Sequence, residues 1–324
     1  MKVMSLKTSL IIFSVIAVLF PISGMGQSDY PNQPITLIVG FNAGGNTDIG
    51  LRILADSASK ILGQPVVVEN KPGAGGYLGF NTMLNAKPDG YTIGALCPDF
   101  YTDSLMNREV PDKVENTTVI GLYTSVVHTI VAKEDAPWNN FKEVIEYARS
   151  HPGKMTYGVI TNSHSHLAMI KLGEEQNIDW KAVPYMGTSK MVPALLGGHV
   201  DLLAGFGGRH LQQVKAGKVK LLACMGDKRL PYFPDIPTLK ELGYDISVSY
   251  DIGIGGPKGI PSSVIQKLQD AFAKASEEQS FQNFIKDNMM VYDYMGSEQY
   301  SQYLKKKYDF YAEIIKKLGL AYKK

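Results

Sequence analysis

The stretch Phe41-Asn42-Ala43-Gly44-Gly45-Asn46-Thr47-Asp48 follows a β-forming run at 35–39. It precedes an apolar pattern of helical spacing: Leu51, Leu54, Ala55, Ala58, Ile61 and Leu62. The first N–H groups of a helix have no intrahelical partners, and the aligned peptide dipoles place positive potential there. A strand that enters a helix through glycine can therefore hold an anion. Glycine also removes the side chain that would keep an anion off the backbone, and it tolerates positive φ. Phe41, Ala43, Gly44 and Gly45 are the candidate contacts for a carboxylate. Asp48 would repel such a ligand, so it either accepts N–H bonds in the first turn and fixes the loop, or it meets the ammonium group of an amino-acid ligand.

Other reactive residues point to less. His164-Ser165-His166 brings two imidazoles together, but alternate side chains share a direction only in an extended chain, and no third ligand lies nearby in sequence. No metal is expected. Arg209, after Phe206-Gly207-Gly208, can either pair bidentately with a distal carboxylate or lie on the surface. Cys97 and Cys224 are the only cysteines, each inside an apolar strand-like run, and they read as buried thiols rather than a disulfide framework. There is no Gly-x-Ser-x-Gly elbow and no Cys–His arrangement, so no enzyme and no cofactor are expected.

The elements that position these residues alternate. Strands are expected at 35–39, 65–69, 91–96, 126–131, 155–160, 182–185 and 200–204, with amphipathic helices between them. That order argues for parallel sheets covered on both faces. After residue 257 the chain reads as mostly helical, ending in a helix over 297–318 with Tyr300, Tyr303, Leu304, Tyr308, Tyr311, Ile314, Ile315 and Leu318 as a core-facing stripe. Trp138 and Trp180 both fall in the middle of the chain.

The opening residues carry Lys2 and Lys7, an apolar run at 10–20, Pro21, and small residues at Gly24 and Gly26. This is the pattern of a secretory signal over 1–26, too short to span a bilayer, and no cysteine stands near its end to take a lipid. The remaining length of near 300 residues suggests two lobes. The net charge of +2 falls to about zero once the two signal lysines are removed, so nucleic acid is not an expected partner.

Several stretches together resemble one family. Residues 30–39, Phe41, Ala43-Gly44-Gly45 and Asp48 are similar to the mature start of tripartite tricarboxylate transporter receptors, the Bug-type solute-binding proteins. The similarity continues, collinearly, through 62–76, Lys87-Pro88-Asp89-Gly90-Tyr91-Thr92, His151-Pro152-Gly153-Lys154, Val183-Pro184-Tyr185, 195–201 and Pro234-Asp235-Ile236-Pro237-Thr238.

The resemblance implies an α/β, two-lobed periplasmic-binding-protein-like (Venus flytrap) fold, each lobe a mostly parallel sheet flanked by helices, joined by crossing strands. One lobe would comprise 27–126 with 250–324, the other 127–249, the chain crossing near 123–127 and returning near 249–253. It implies a monomeric periplasmic receptor that binds a di- or tricarboxylate, aromatic acid or acidic amino acid and delivers it to membrane permease subunits. A receptor feeding a membrane sensor kinase is the alternative. In the second lobe, Thr161, Asn162, Ser163, Ser165 and His166 occupy the place of the family's second ligand loop, although this loop lacks the family's further glycine and is one residue shorter. By the same resemblance Asp201 would serve ligand or water, or else cap a strand end. The 71–76 turn either reaches the ligand or only brings a helix close to the sheet.

Overall fold

The computed structural model describes residues 30–97, 99–106, 114–185 and 188–322. The export segment expected over 1–26 and the side chain of Arg209 lie outside the described part.

Strand β1 (Ile35–Val39) is almost wholly buried on both faces, as its run of branched residues demands of an inner strand. Helix α1 (Asn46–Leu62) returns the chain and stops where Gly63 adopts a left-handed φ of 71°. Strand β2 (Val66–Asn70), helix α2 (Tyr77–Leu84) and strand β3 (Thr92–Leu96) complete a βαβαβ unit in which β2 and β3 both run parallel to β1. The glycine turn before α2 packs against the end of β1. A Cβ on Gly40 would overlap the carbonyl oxygen of Gly76, and one on Gly79 would sit 2.6 Å from Gly40 Cα. The glycines of this turn thus bring the helix against the sheet.

Helix α3 (Asp99–Met106) leads to the long strand β4 (Thr117–Lys133). Then come α4 (Phe141–Ser150), β5 (Thr156–Val159), α5 (His164–Gln176), β6 (Lys181–Pro184), α6 (Thr188–Leu196), β7 (Leu202–Phe206), α7 (Gly207–Lys215) and β8 (Val219–Cys224). Strand β9 (Ser249–Pro257) precedes α8 (Ser262–Glu277), α9 (Gln279–Asp287), β10 (Val291–Gly296) and α10 (Ser297–Lys317).

The strands follow the order β2-β1-β3-β9-β4-β7-β5-β6, with β8 and β10 also paired to β4. The outer strands are parallel, while β9 and β4 at the centre run antiparallel to their neighbours, so the sheet is mixed. Strand β4 changes partners along its length: Thr117 to Val127 faces β9, and His128 to Ala132 faces β7.

One core gathers around Ile38, Phe80, Leu96, Phe100 and Tyr300, another around Ile130, Trp138, Phe141, Tyr157 and Leu172. Helix α10 reaches past the first, since Tyr311, Ile314 and Ile315 pack with Leu167 of α5. Strand β10 interrupts the tail read from sequence as helical. Its pairing with Ser125 to Gly121 of β4 spans more than 160 positions of chain, and no local pattern marks it. Cys97 and Cys224 are buried thiols not joined in a disulfide.

Candidate functional site

The loop after β1 delivers α1 with its N-terminus uncapped by any side chain, because the N-cap residue is Gly45. Residues 42–46 are exposed, so the first-turn amides at Gly45 and Asn46 are open to a ligand oxygen. Gly44 has φ 85°, a value that favours glycine, whereas Gly45 is extended at φ −79°.

Asp48 lies beneath this loop, only 2 % exposed. Its Oδ2 accepts the Gly44 N–H at 2.9 Å, and its Oδ1 accepts Arg52 Nε at 3.0 Å and Asn70 Nδ2 at 2.8 Å. Burial alone would raise its pKa. The bonds from Arg52, Gly44 and Asn70, with the charge of Arg52, outweigh burial and hold the carboxyl below its ordinary range. Both oxygens are therefore engaged within the protein. Of the two roles open from sequence, the geometry gives Asp48 the fixing of the loop and leaves no oxygen turned to an ammonium group. It also uses the Gly44 N–H, which moves the donors available to a ligand one step along, to Gly45 and Asn46.

Aromatic rings floor the site. Phe41 stacks on Phe100 of α3, centroids 6.1 Å apart, and meets the edge of Tyr250 of β9 at 6.4 Å. Tyr250 meets Phe206, at the end of β7, at 5.6 Å. Its hydroxyl lies 3.4 Å from Thr47 Oγ1 and receives the Cys97 thiol at 3.4 Å. Ends of β1, β7 and β9 thus converge on one tyrosine.

The second loop reaches the same place through α3. Phe100 of α3 stacks on Phe41, and two residues along Thr102 Oγ1 lies 2.9 Å from Nε2 of His164, the first residue of α5. Helix α5 starts at His164, where Ser163 caps it, accepting the His166 N–H at 3.3 Å. His166 Nδ1 in turn accepts the Asn162 N–H at 3.1 Å, so the ring is neutral with its proton on Nε2. Burial lowers the pKa of His166, which favours that state. Asn162 takes the left-handed φ of 59° where a glycine would be usual, a conformation asparagine tolerates better than other side chains.

Several residues expected at the ligand are used internally. Ser165 is buried with its hydroxyl 3.1 Å from Ser163 Oγ, which also accepts the His166 N–H. His164, weighed in the sequence only as a metal ligand, is buried and stacked on Tyr311 at 4.2 Å. Thr161 and the Asn162 side chain stay exposed. Asp201 stands elsewhere. In the parallel register Tyr157 pairs with Leu202, so Asp201 lies level with Thr156 at the start of β5, the opposite end from the 160–163 turn. Its Oδ2 accepts the N–H and hydroxyl of Thr156, both at 2.8 Å. Ligands of open α/β sheets bind at the carboxyl ends of strands, whereas Asp201 ties two strand starts, the capping arrangement that was one of the readings its sequence left open. Among the described residues, no group of three or more His, Cys, Asp or Glu side chains is arranged to hold a metal ion.

Sequence reasoning did not single out Asn46, Asn70, Arg52, Phe100 or Tyr250. Asn70 directly precedes the Lys71-Pro72-Gly73 turn, the one local signal available. Its pairing opposite Val39, which puts it under the loop, is set by the sheet.

Residues 51–320 match the description of the tripartite tricarboxylate transporter family receptor. The chain belongs to that family. Its sequence is 40% identical over 297 residues to the UPF0065 protein in the gbd 5' region of Cupriavidus necator, covering 91% of this chain and 90% of that one. A TctC solute-binding protein from Polaromonas superposes with a TM-score of 0.84 at 31% identity, covering 89% of this chain and 99% of the other. The periplasmic binding protein BugD superposes with a TM-score of 0.69 at 34% identity, covering 90% and 99%. Members of this receptor family are solute-binding proteins, and the periplasmic-binding-protein-like α/β fold described above is theirs.

Proposed function

We propose that this receptor captures a small carboxylate between two lobes, residues 27–126 with 250–324 and residues 127–249, outside the cytoplasmic membrane, and delivers it to the permease subunits of a tripartite tricarboxylate-type transporter. The observation that carries this reading is the uncapped, glycine-opened N-terminus of α1, whose neighbouring carboxylate is already engaged by protein donors. An anion entering there meets backbone donors and positive potential. Its carbon body meets Phe41 and Tyr250.

Two Rhodopseudomonas palustris proteins of the same fold, each 24% identical, were solved with malate and with adipate, which makes these acids the first probes. Ligand binding to the native state alone raises its stability, by about 2.7 kcal/mol at a hundredfold excess over Kd. Thermal unfolding of the mature protein with malate, adipate, citrate, benzoate and glutamate is expected to show a clear rise in Tm with at least one of them and none with glucose. A response to glucose with flat curves for every acid would overturn the reading.

A further inference from the structure

A strand and a helix carry the residues that hold the ligand loop in shape, and the strand residue has no assigned role. Asn70 ends β2, directly opposite Val39. Its side-chain amide donates to the Phe41 carbonyl oxygen at 3.0 Å and to Asp48 Oδ1 at 2.8 Å, and its Oδ1 accepts Arg52 Nη2 at 2.6 Å. Arg52 Nε reaches the same Asp48 oxygen at 3.0 Å, and the other Asp48 oxygen holds the Gly44 N–H. Every side-chain bond Asn70 makes therefore ends on the loop, on its anchoring carboxylate, or on the guanidinium that offsets that carboxylate's charge.

We propose that Asn70, oriented by Arg52, is a positioning residue for carboxylate capture: it fixes the 41–44 backbone so that the amides at the start of α1 point outward before a ligand arrives. The inference rests on reading that loop as the carboxylate site. The physical reason is preorganisation. A glycine pair is the most mobile backbone a chain can offer, and a mobile loop must lose that freedom when it binds. Asn70 ties the loop from both ends, at the Phe41 carbonyl and, through Asp48, at the Gly44 amide. A planar amide suits this position because it donates twice and accepts once. Aspartate has the same shape but no donor, and would set a second carboxylate against Asp48.

The test uses the mature protein with Asn70→Ala and the isosteric Asn70→Asp. In ligand-free protein, exchange of the Gly44 amide proton is expected to accelerate about tenfold or more in both variants, while amides of Leu37 and Ile93 in the neighbouring strands keep their protection. A change confined to the loop is one that a general stabilising role would not produce. Unchanged exchange at Gly44, or equal acceleration at Leu37 and Ile93, overturns the positioning role. In the same preparations, titration with malate and adipate is expected to show Asn70→Ala weakened about tenfold for whichever acid the wild type binds. Equal affinity despite the faster loop exchange also overturns it. If the wild type binds none of the acids in the wider panel, the carboxylate reading fails, and amide exchange alone decides whether Asn70 holds the loop.

Discussion

Gly40→Ala is expected to destabilise the receptor by about 3 kcal/mol or more, the upper range for overpacking, because the added methyl group meets backbone instead of a movable side chain. Gly40, Gly76 and Gly79 approach each other where β1 leaves the sheet, and a Cβ on any of them overlaps an atom of a neighbour. Gly45 provides the contrast. Its φ of −79° suits any residue, and a Cβ there would lie 3.6 Å from the Asn42 carbonyl oxygen, an ordinary contact. Gly45→Val should hold its stability within about 1 kcal/mol. Its branched side chain nevertheless stands beside the open amides of α1, so carboxylate affinity is expected to fall about tenfold or more. Urea unfolding measures the first quantity and calorimetric titration the second. Wild-type stability in Gly40→Ala would show that the turn has room to move, and wild-type affinity in a folded Gly45→Val protein would remove this loop from the site.

These glycines show how unevenly the sequence discloses its use. Strand β1 and the helix stop at Gly63 were legible because each depends on a local pattern: a branched run, and a glycine free to take positive φ. That two glycines preceded α1 was equally plain, and so was the chemistry of an uncapped helix start. What a glycine packs against was not. The 71–76 turn left ligand contact and helix packing open until the approach of the Gly76 backbone to Gly40, too close for a Cβ on Gly40, showed it packed against the sheet.

Side-chain partners were harder still. Asp48 has its role because β2 brings Asn70 beneath it, 22 positions along the chain, and Asp201 lies away from the second loop because a parallel register aligns strand starts. In the 161–166 turn the donors are all of the kind that could serve a ligand. Yet Ser163, Ser165 and His166 close on one another, since a helix start supplies its own acceptors and donors at short range. Composition announces donors; only the fold says which are already engaged.

Acid is expected to weaken the fold well above the range where carboxylates titrate, through two buried imidazoles on opposite faces of β4. His128 is 2 % exposed, its ring edge-on to Phe206 at 4.6 Å, and neither of its nitrogens has a hydrogen-bond partner among the described residues. Burial, reinforced by the positive charges that His164, His210 and Lys307 can carry, holds its pKa well below the ordinary value. His210, on α7, has Nδ1 2.9 Å from Thr129 Oγ1 and an unpartnered Nε2, and burial lowers its pKa to about 4. Both rings are neutral in the folded protein and take up protons readily only once unfolded. Their contribution is therefore complete above pH 6.5 and is lost as the pH falls from 6.5 toward the folded-state values, about 4 for His210. For His210 alone the shift corresponds to about 3 kcal/mol. His128→Phe keeps a ring against Phe206, removes a buried donor that lacks an acceptor, and takes one proton out of the balance. It should match or exceed the wild type in stability at pH 7, and lose less than the wild type does between pH 7 and pH 4.5. Urea unfolding at half-unit steps across that range gives both slopes, and an unchanged slope in His128→Phe would mean that His128 does not set the acid response.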